Sequence, residues 1–349
     1  MIKDLEISNF RCFENTKIEG FERVNLIGGK NNSGKTALLE AIFLYSYPYP
    51  NTIDHIRGII RKESLAVVPT IPKNAWDNLL FNLDRKNIIE LKGSQSNQGD
   101  KLVKISISDS LKDSLLGRPE DWQQLYNFIA KNKSVISILN IQTIFDPEND
   151  SKDSQLNYFL IASSEGILAL PDAGDEEPVI IAASVNKSLK ELSESYTKIV
   201  FNEQEEEVLK ALHILDPSIE KIESFFLGKP NLYLKRKETK RLPISLFGEA
   251  IKRLIEIIIT LLLNPQKIIF IDQIENGLHY TAYPDIWFAT THSLEMIQAF
   301  ADVGLEYYPE QGAYFELARS PRTDKIIGIK SELDILDYAL KHNDRIRGE

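Results

Sequence analysis

The sequence predicts an α/β fold built around a mostly parallel core sheet, and three stretches carry that prediction. In the first, the apolar run Val24 to Ile27 passes through the turn Gly28-Gly29-Lys30-Asn31-Asn32-Ser33-Gly34 into Lys35-Thr36-Ala37 and a helix with apolar Leu38, Leu39, Ile42 and Phe43. In the second, Gln266-Lys267-Ile268-Ile269-Phe270-Ile271 closes on Asp272 and Gln273; in the third, Phe288-Ala289-Thr290-Thr291 closes on His292. Apolar runs without alternation belong to strands covered on both faces, which is the usual state of a parallel sheet.

The first stretch also has a chemical reading. Gly29, Gly34, Lys35 and Thr36 fill the spacing G-x-x-x-x-G-K-[ST], with the strand before it and the helix after it that the pattern requires. Glycines let the backbone close around an anion, so that successive N–H groups and the positive end of the helix dipole face a phosphate. This is a phosphate-binding P-loop, and Gly29, Asn31, Asn32, Ser33, Gly34, Lys35, Thr36 and Ala37 are its candidate nucleotide contacts. Lys35 is placed to neutralise the β- and γ-phosphates of ATP, and the Thr36 hydroxyl to ligate Mg²⁺. A carboxylate at the C-terminal end of a buried parallel strand lies where such a fold binds its ligand, so Asp272 is the second candidate metal ligand, acting through water.

Composition bounds the alternatives. The chain has 349 residues, 43% hydrophobic and 26% charged, which is ordinary for a water-soluble protein with a large core. Its net charge of −10 argues against a nucleic-acid binder coated in positive charge and leaves room for a local basic path. Charges at Lys3, Asp4 and Glu6 occupy the place of an export signal, and the longest apolar stretch, Leu254 to Leu263, is broken by Glu256 and ends at Asn264-Pro265. The single cysteine, Cys12, cannot form an internal disulfide. Together these lead us to expect a cytoplasmic protein without a membrane span.

Ahead of the P-loop, Ile2, Leu5 and Ile7 alternate with polar residues, and Asn9-Phe10-Arg11-Cys12-Phe13 leads to Thr16-Lys17-Ile18, which reads as two antiparallel strands. This order of strand, Asn-Phe-Arg-x-Phe, strand and P-loop resembles the ABC-type ATPase heads of the RecF, SMC and overcoming-lysogenization-defect (OLD) group. The resemblance implies a P-loop NTPase with an N-terminal antiparallel β-subdomain and a mixed α/β insertion, and it puts Arg11 near the nucleotide. Without the resemblance, Arg11 reads as a surface charge at a strand end. Pro243 to Ala250, ahead of the apolar helix Ile251 to Leu263, resembles the signature loop that reaches the γ-phosphate in the opposite subunit, with Ser245 and Gly248 as contacts. The departures are Ala250, where related heads carry a second glycine, and the bulky Phe247. An N-cap by Ser245 is the competing reading.

In the same family the residue after the Walker B aspartate is a glutamate that polarises the attacking water. Here it is Gln273. Glutamine can orient a water but cannot take its proton, so the expectation is tight ATP binding with slow hydrolysis. Ile274 to His279 resembles the D-loop that crosses the dimer interface, which makes His279 a nucleotide-contact candidate. His292 resembles the switch histidine that senses the γ-phosphate, and stands with Lys35 and Gln273 as a catalytic candidate. Only fifteen residues, Gln273 to Trp287, are available for the D-loop and crossover, near the minimum for a parallel connection.

These stretches divide the chain into residues 1–83 and 241–349, two parts of one ATPase head, around an insertion at 84–240. Within the insertion, strands are expected at Asn87 to Leu91, Leu102 to Ser108 and Val135 to Phe145, and helices at Asp109 to Lys131 and Ser188 to Ala211. The acidic run Glu203 to Glu207 reads as an exposed face. Lys229, Lys235, Arg236, Lys237, Lys240 and Arg241 concentrate positive charge, either as a contact for DNA or an acidic partner, or as a hairpin balanced by nearby acids. The tail is expected to add strands at Tyr314 to Leu317 and Lys325 to Ile329 and a helix at Ser331 to Leu340, too short for an appended Toprim nuclease domain. The resemblance then implies a stand-alone ATPase that forms a homodimer or higher homo-oligomer and licenses a separate effector, a Toprim-like nuclease, in anti-phage defence. A DNA repair or chromosome-maintenance ATPase is the alternative; a long heptad arm would favour it, and 84–240 shows none.

Overall fold

A computed structural model of the chain describes residues 2–57, 72–96, 99–109, 127, 137–147, 155–164, 166–171, 179–181, 187–226, 228–265, 267–274, 286–307 and 309–342. The centre is a six-stranded sheet of β3 (Val24–Gly29), β9 (Val179–Ile181), β13 (Ile268–Ile271), β14 (Ile286–Thr290), β15 (Gly312–Arg319) and β16 (Ile326–Glu332), in the order β16-β15-β3-β14-β13-β9. Every neighbouring pair is parallel except β15 and β16. This is the mostly parallel core of an ABC-type P-loop ATPase head.

Residues of the core strands sort by parity onto two faces, as the two-residue period of a strand dictates. On one face Ile27, Phe270, Phe288 and Phe315 meet Phe21 and the helix α1 (Lys35–Ser46), which the short helix α2 (Pro50–His55) follows, with Phe43 and Phe270 rings 4.9 Å apart and Phe21 and Phe288 rings 5.4 Å apart. On the other face Leu26, Ile269, Ile271, Trp287, Ala289 and Tyr314 pack with side chains of three helices, α5 (Glu249–Leu263), α6 (Leu294–Tyr307) and α7 (Leu333–Lys341). All of β3 is buried, which explains why its sequence shows no alternation.

The second sheet is antiparallel. β1 (Asp4–Phe10) and β2 (Phe13–Glu19) form the expected hairpin, and β4 (Ile89–Gln95), β5 (Gly99–Ser108), β6 (Ser137–Phe145), β7 (Gln155–Ser163) and β8 (Gly166–Leu170) extend it in the order β2-β1-β4-β5-β6-β7-β8. Leu5, Ile7, Leu91, Val103, Ile105 and Ile141 bury one face of it in the same core as α1. Strands β4, β5 and β6 fall where the β-branched runs place them. Strands β7, β8 and β9 had no such signal.

A smaller unit follows. Helices α3 (Leu189–Phe201) and α4 (Glu205–Leu215) pack with a three-stranded sheet of β10 (Ile219–Phe226), β11 (Pro230–Arg236) and β12 (Leu242–Pro243), and with α5. The single helix expected over Ser188 to Ala211 is two helices: Asn202 caps the first and Glu203 adopts φ 57°. The acidic run therefore occupies the turn and the first turn of α4, where carboxylates meet the positive end of a helix dipole. Ser188 closes a capping box with Glu191 at the other end of α3. The helix expected at Asp109 to Lys131 lies almost wholly outside the described residues.

Phe288 is fully buried, with the rings of Phe21 and Phe270 centred 5.4 and 5.8 Å from its own. Phe288→Ala is expected to cost about 3–5 kcal/mol, read as a lowered urea midpoint.

Candidate active site

The parallel register brings the ends of three strands to one edge. Thr290 stands opposite Ile27 and Ala289 opposite Ile271, so the residues that follow β3, β13 and β14 share a cleft. That cleft measures about 380 Å³ and is lined by Arg11, Cys12, Asn31, Asn32, Gly34, Lys35, Thr36, Ala37, Gln273, Thr290 and His292.

The turn after β3 has the backbone that an anion cradle requires. Gly29 lies at φ 135°, Asn32 at 64° and Gly34 at 96°, and Gly34 opens α1. A Cβ on Gly29 would come within 2.5 Å of the Leu317 carbonyl oxygen and 2.8 Å of the Ser33 hydroxyl, so only glycine fits there. Lys35 turns its ammonium back over the loop and donates to the carbonyls of Gly29 at 2.8 Å and Lys30 at 2.7 Å. Those carbonyl oxygens hold the ammonium beside the cradle, where phosphate oxygens can exchange for them.

Behind the loop lies a relay of hydroxyls and one carboxylate. Asp272 is 7% exposed, and one of its oxygens accepts from the Thr36 hydroxyl at 3.2 Å and the Thr290 hydroxyl at 2.7 Å. Thr290 in turn accepts the backbone N–H of Gln273 at 2.8 Å, which holds Gln273 at φ 55°. The adjoining oxygens of Thr36 and Asp272 are of the kind that suits a hard divalent cation. Among the described residues no group of three or more His, Cys, Asp or Glu forms a metal cluster, so the protein would offer two oxygens and leave the other positions to phosphate and water, as Mg²⁺ prefers.

Arg11 enters from the other sheet. It sits at φ 52° in the β1–β2 turn, donates to the fully buried Glu40 of α1 at 2.9 Å and to the Asn78 carbonyl at 2.6 Å, and so reaches the cleft as an anchored cation. Ser33 and Gly29 shape the loop without lining the cleft. Ser245 and Gly248 also do not line it: they lie exposed at the start of α5, with Leu246 68% exposed beside them. Gly248, at φ 60°, is the N-cap of α5, so Ser245 caps nothing there. Phe247 is buried under the Arg236 guanidinium, 4.6 Å from its ring centre, and leaves the loop's outer surface open. His279 lies outside the described residues.

Sequence patterns did not single out Thr290, Glu40 or Glu316. A polar residue ending the run Phe288-Ala289 was the available signal for Thr290. Glu316, on β15 opposite Gly28, is 8% exposed. Burial pushes its carboxyl up to about 7 against the opposing effect of Lys30.

The fold and this site define a P-loop nucleotide-binding protein of the ABC type. The AAA domain family model matches residues 4–259, and the chain belongs to that family. It is 31% identical over 299 residues to the ATP/GTP phosphatase of Helicobacter pylori, spanning 80% of this chain and 78% of that protein. A shorter stretch of 64 residues is 39% identical to the DNA replication and repair protein RecF of Lachnoclostridium phytofermentans, 18% of either chain. Among solved structures, an SMC head bound to the C-winged helix domain of ScpA aligns over 97% of this chain and 99% of that one, with TM-score 0.49 and 11% identity.

Thr290→Val removes the hydroxyl that orients Asp272 while keeping the side-chain shape. It is expected to raise the Mg²⁺ concentration needed for nucleotide binding about tenfold or more, with Thr290→Ser near wild type; titration with a fluorescent ATP analogue reads this. The raised Glu316 carboxyl binds its proton more tightly in the folded than in the unfolded chain, so stability falls as pH climbs through about 7. Glu316→Gln should accordingly gain melting temperature over wild type between about pH 5 and pH 8, with little difference at the acid end.

Proposed function

We propose that this chain is an ATP- and Mg²⁺-binding ATPase that pairs with a second copy around the nucleotide and hydrolyses it slowly. The observation that carries the reading is the 3.2 Å contact between the Thr36 hydroxyl and the Asp272 carboxylate, directly beside Lys35 on the loop that cradles phosphate. The name and extent of the H. pylori relative support a phosphatase acting on ATP or GTP.

In this reading Lys35 and the loop N–H groups bind the β- and γ-phosphates, Arg11 adds positive charge from the neighbouring sheet, and Thr36 and Asp272 hold the metal. Bound Mg²⁺ would neutralise the charge that builds on the phosphate oxygens. Gln273 orients the attacking water through its amide without accepting a proton, and His292, exposed at the mouth of the cleft, contacts the γ-phosphate. Ser245 and Gly248 act on the opposite subunit's nucleotide, which accounts for an exposed signature loop that is absent from its own chain's cleft.

The finer role we assign is a nucleotide switch for a separate effector protein, by resemblance a Toprim-like nuclease in anti-phage defence. The hairpin chemistry favours this over direct action on DNA. Lys235 pairs with Glu220 at 2.8 Å, Arg236 with Asp216 at 2.6 Å and Arg241 with Glu223, so half of the basic segment is already neutralised.

Gln273→Glu should raise phosphate release by about a hundredfold or more, the usual contribution of a positioned general base. Equal rates would show that Gln273 does not limit turnover. Light scattering with ATP and Mg²⁺ should show a doubled mass that Lys35→Ala abolishes; a mass unchanged by nucleotide in a monomeric sample would remove the dimer from the reading.

A further inference from the structure

Helices α3 and α4 and strand β10 enclose a groove of about 490 Å³ that shares no residue with the nucleotide cleft. Its floor and walls are apolar: Tyr196, Val200, Leu209, Ile222 and Phe225 line it. Phe201, 89% exposed, and Phe226, 74% exposed, directly follow the lining residues Val200 and Phe225 in the chain. An apolar groove with exposed phenylalanines beside it costs solvation in a lone chain and marks a contact site.

The polar groups of the groove give the contact a sign. Glu205, Glu206 and Glu223 stand on its walls. Lys221, itself in the lining, pairs with Glu223 at 3.0 Å, as does Arg241; Glu205 and Glu206 make no ion pair among the described residues, although Lys210, which pairs with Glu207, also feels the charge of Glu206. One carboxylate oxygen of Glu205 is buried without a hydrogen bond among those residues. A buried carboxylate oxygen without a donor is costly unless a cation or N–H completes it. The Tyr196 hydroxyl, which donates to the Ile222 carbonyl, reports the same field: burial first, then Glu205 and Glu223, push it up to about 12.

We propose that this groove docks an amphipathic helix of a partner protein that carries Lys or Arg beside its apolar face. The apolar side chains fill the channel between α3 and α4, and the basic groups meet Glu205 and Glu206 at the start of α4. The sign of the rim disfavours nucleic acid and anionic lipid, which share the charge of those carboxylates. The inference gives the effector in the proposed switch a place to bind, and it stands without nucleotide, because no group of the P-loop site takes part.

The test uses the full chain without nucleotide and a fluorescein-labelled Leu/Lys helix of roughly eighteen residues, about five turns. Fluorescence anisotropy is read at about 0.15 M salt, where exposed charges more than about 8 Å apart are largely screened. The wild-type chain should bind this peptide and reject the same peptide with Glu in place of Lys. The double variant E205Q/E206Q should weaken binding about tenfold or more, and F201S/F226S likewise, while E14Q/E19Q on β2, which removes equal charge elsewhere, stays within about twofold. Circular dichroism melts confirm that each variant is folded. Absence of binding, equal binding of the Glu peptide, or equal losses for the two charge variants would overturn the proposal. So would self-association of the chain that F201S/F226S abolishes, since a second copy would then be the occupant. ATP binding measured on the same samples keeps failure of the groove distinct from failure of the nucleotide reading.

Discussion

The pairing of Thr290 with Ile27 and of Ala289 with Ile271 is the constraint from which the site follows. In a parallel sheet all strands end at the same edge, so the chain can deliver a turn, a carboxylate and a histidine to one place from distant parts of the sequence. What locks the ends together is small in scale. The hydroxyls of Thr36 and Thr290 both point at one oxygen of Asp272, and the same Thr290 oxygen takes the N–H of Gln273. A buried carboxylate held by two hydroxyls keeps one orientation.

The antiparallel sheet matters to this arrangement through one residue. Arg11 is on a hairpin turn of that sheet, yet its partner Glu40 belongs to α1, the helix that begins at the P-loop. Because Glu40 is fully buried, the pair is protected from solvent screening and ties the β1–β2 turn to the first helix. Asn25 does a similar service within the core, bridging the backbone of Glu22 and the Trp287 carbonyl across to β14.

Much of this was legible in the residues because the strongest signals are local. Glycines at positive φ, a lysine and threonine at fixed offsets, and an unbroken apolar run closed by Asp272 each describe a few consecutive residues. Long-range pairing was not legible: nothing in Ile89 to Gln95 says that Leu91 will lie beside Ile7, since any half-buried strand offers the same alternation. The break between α3 and α4 was hidden for another reason. Apolar spacing continues across Asn202 and Glu203, and only the turn chemistry there interrupts it. Thr290 escaped because its role comes from the strand next to it, β13, and not from its own neighbours in sequence.

The order of synthesis adds a constraint that geometry alone does not display. Thr36 and Asp272 are separated by 236 positions, so a nascent polypeptide carries the residues of the phosphate cradle long before their acidic counterpart exists. During that interval β3, which ends wholly enclosed, has neither β14 nor β15 beside it and exposes aggregation-prone backbone edges. A ligand that needs both halves would stabilise only finished molecules.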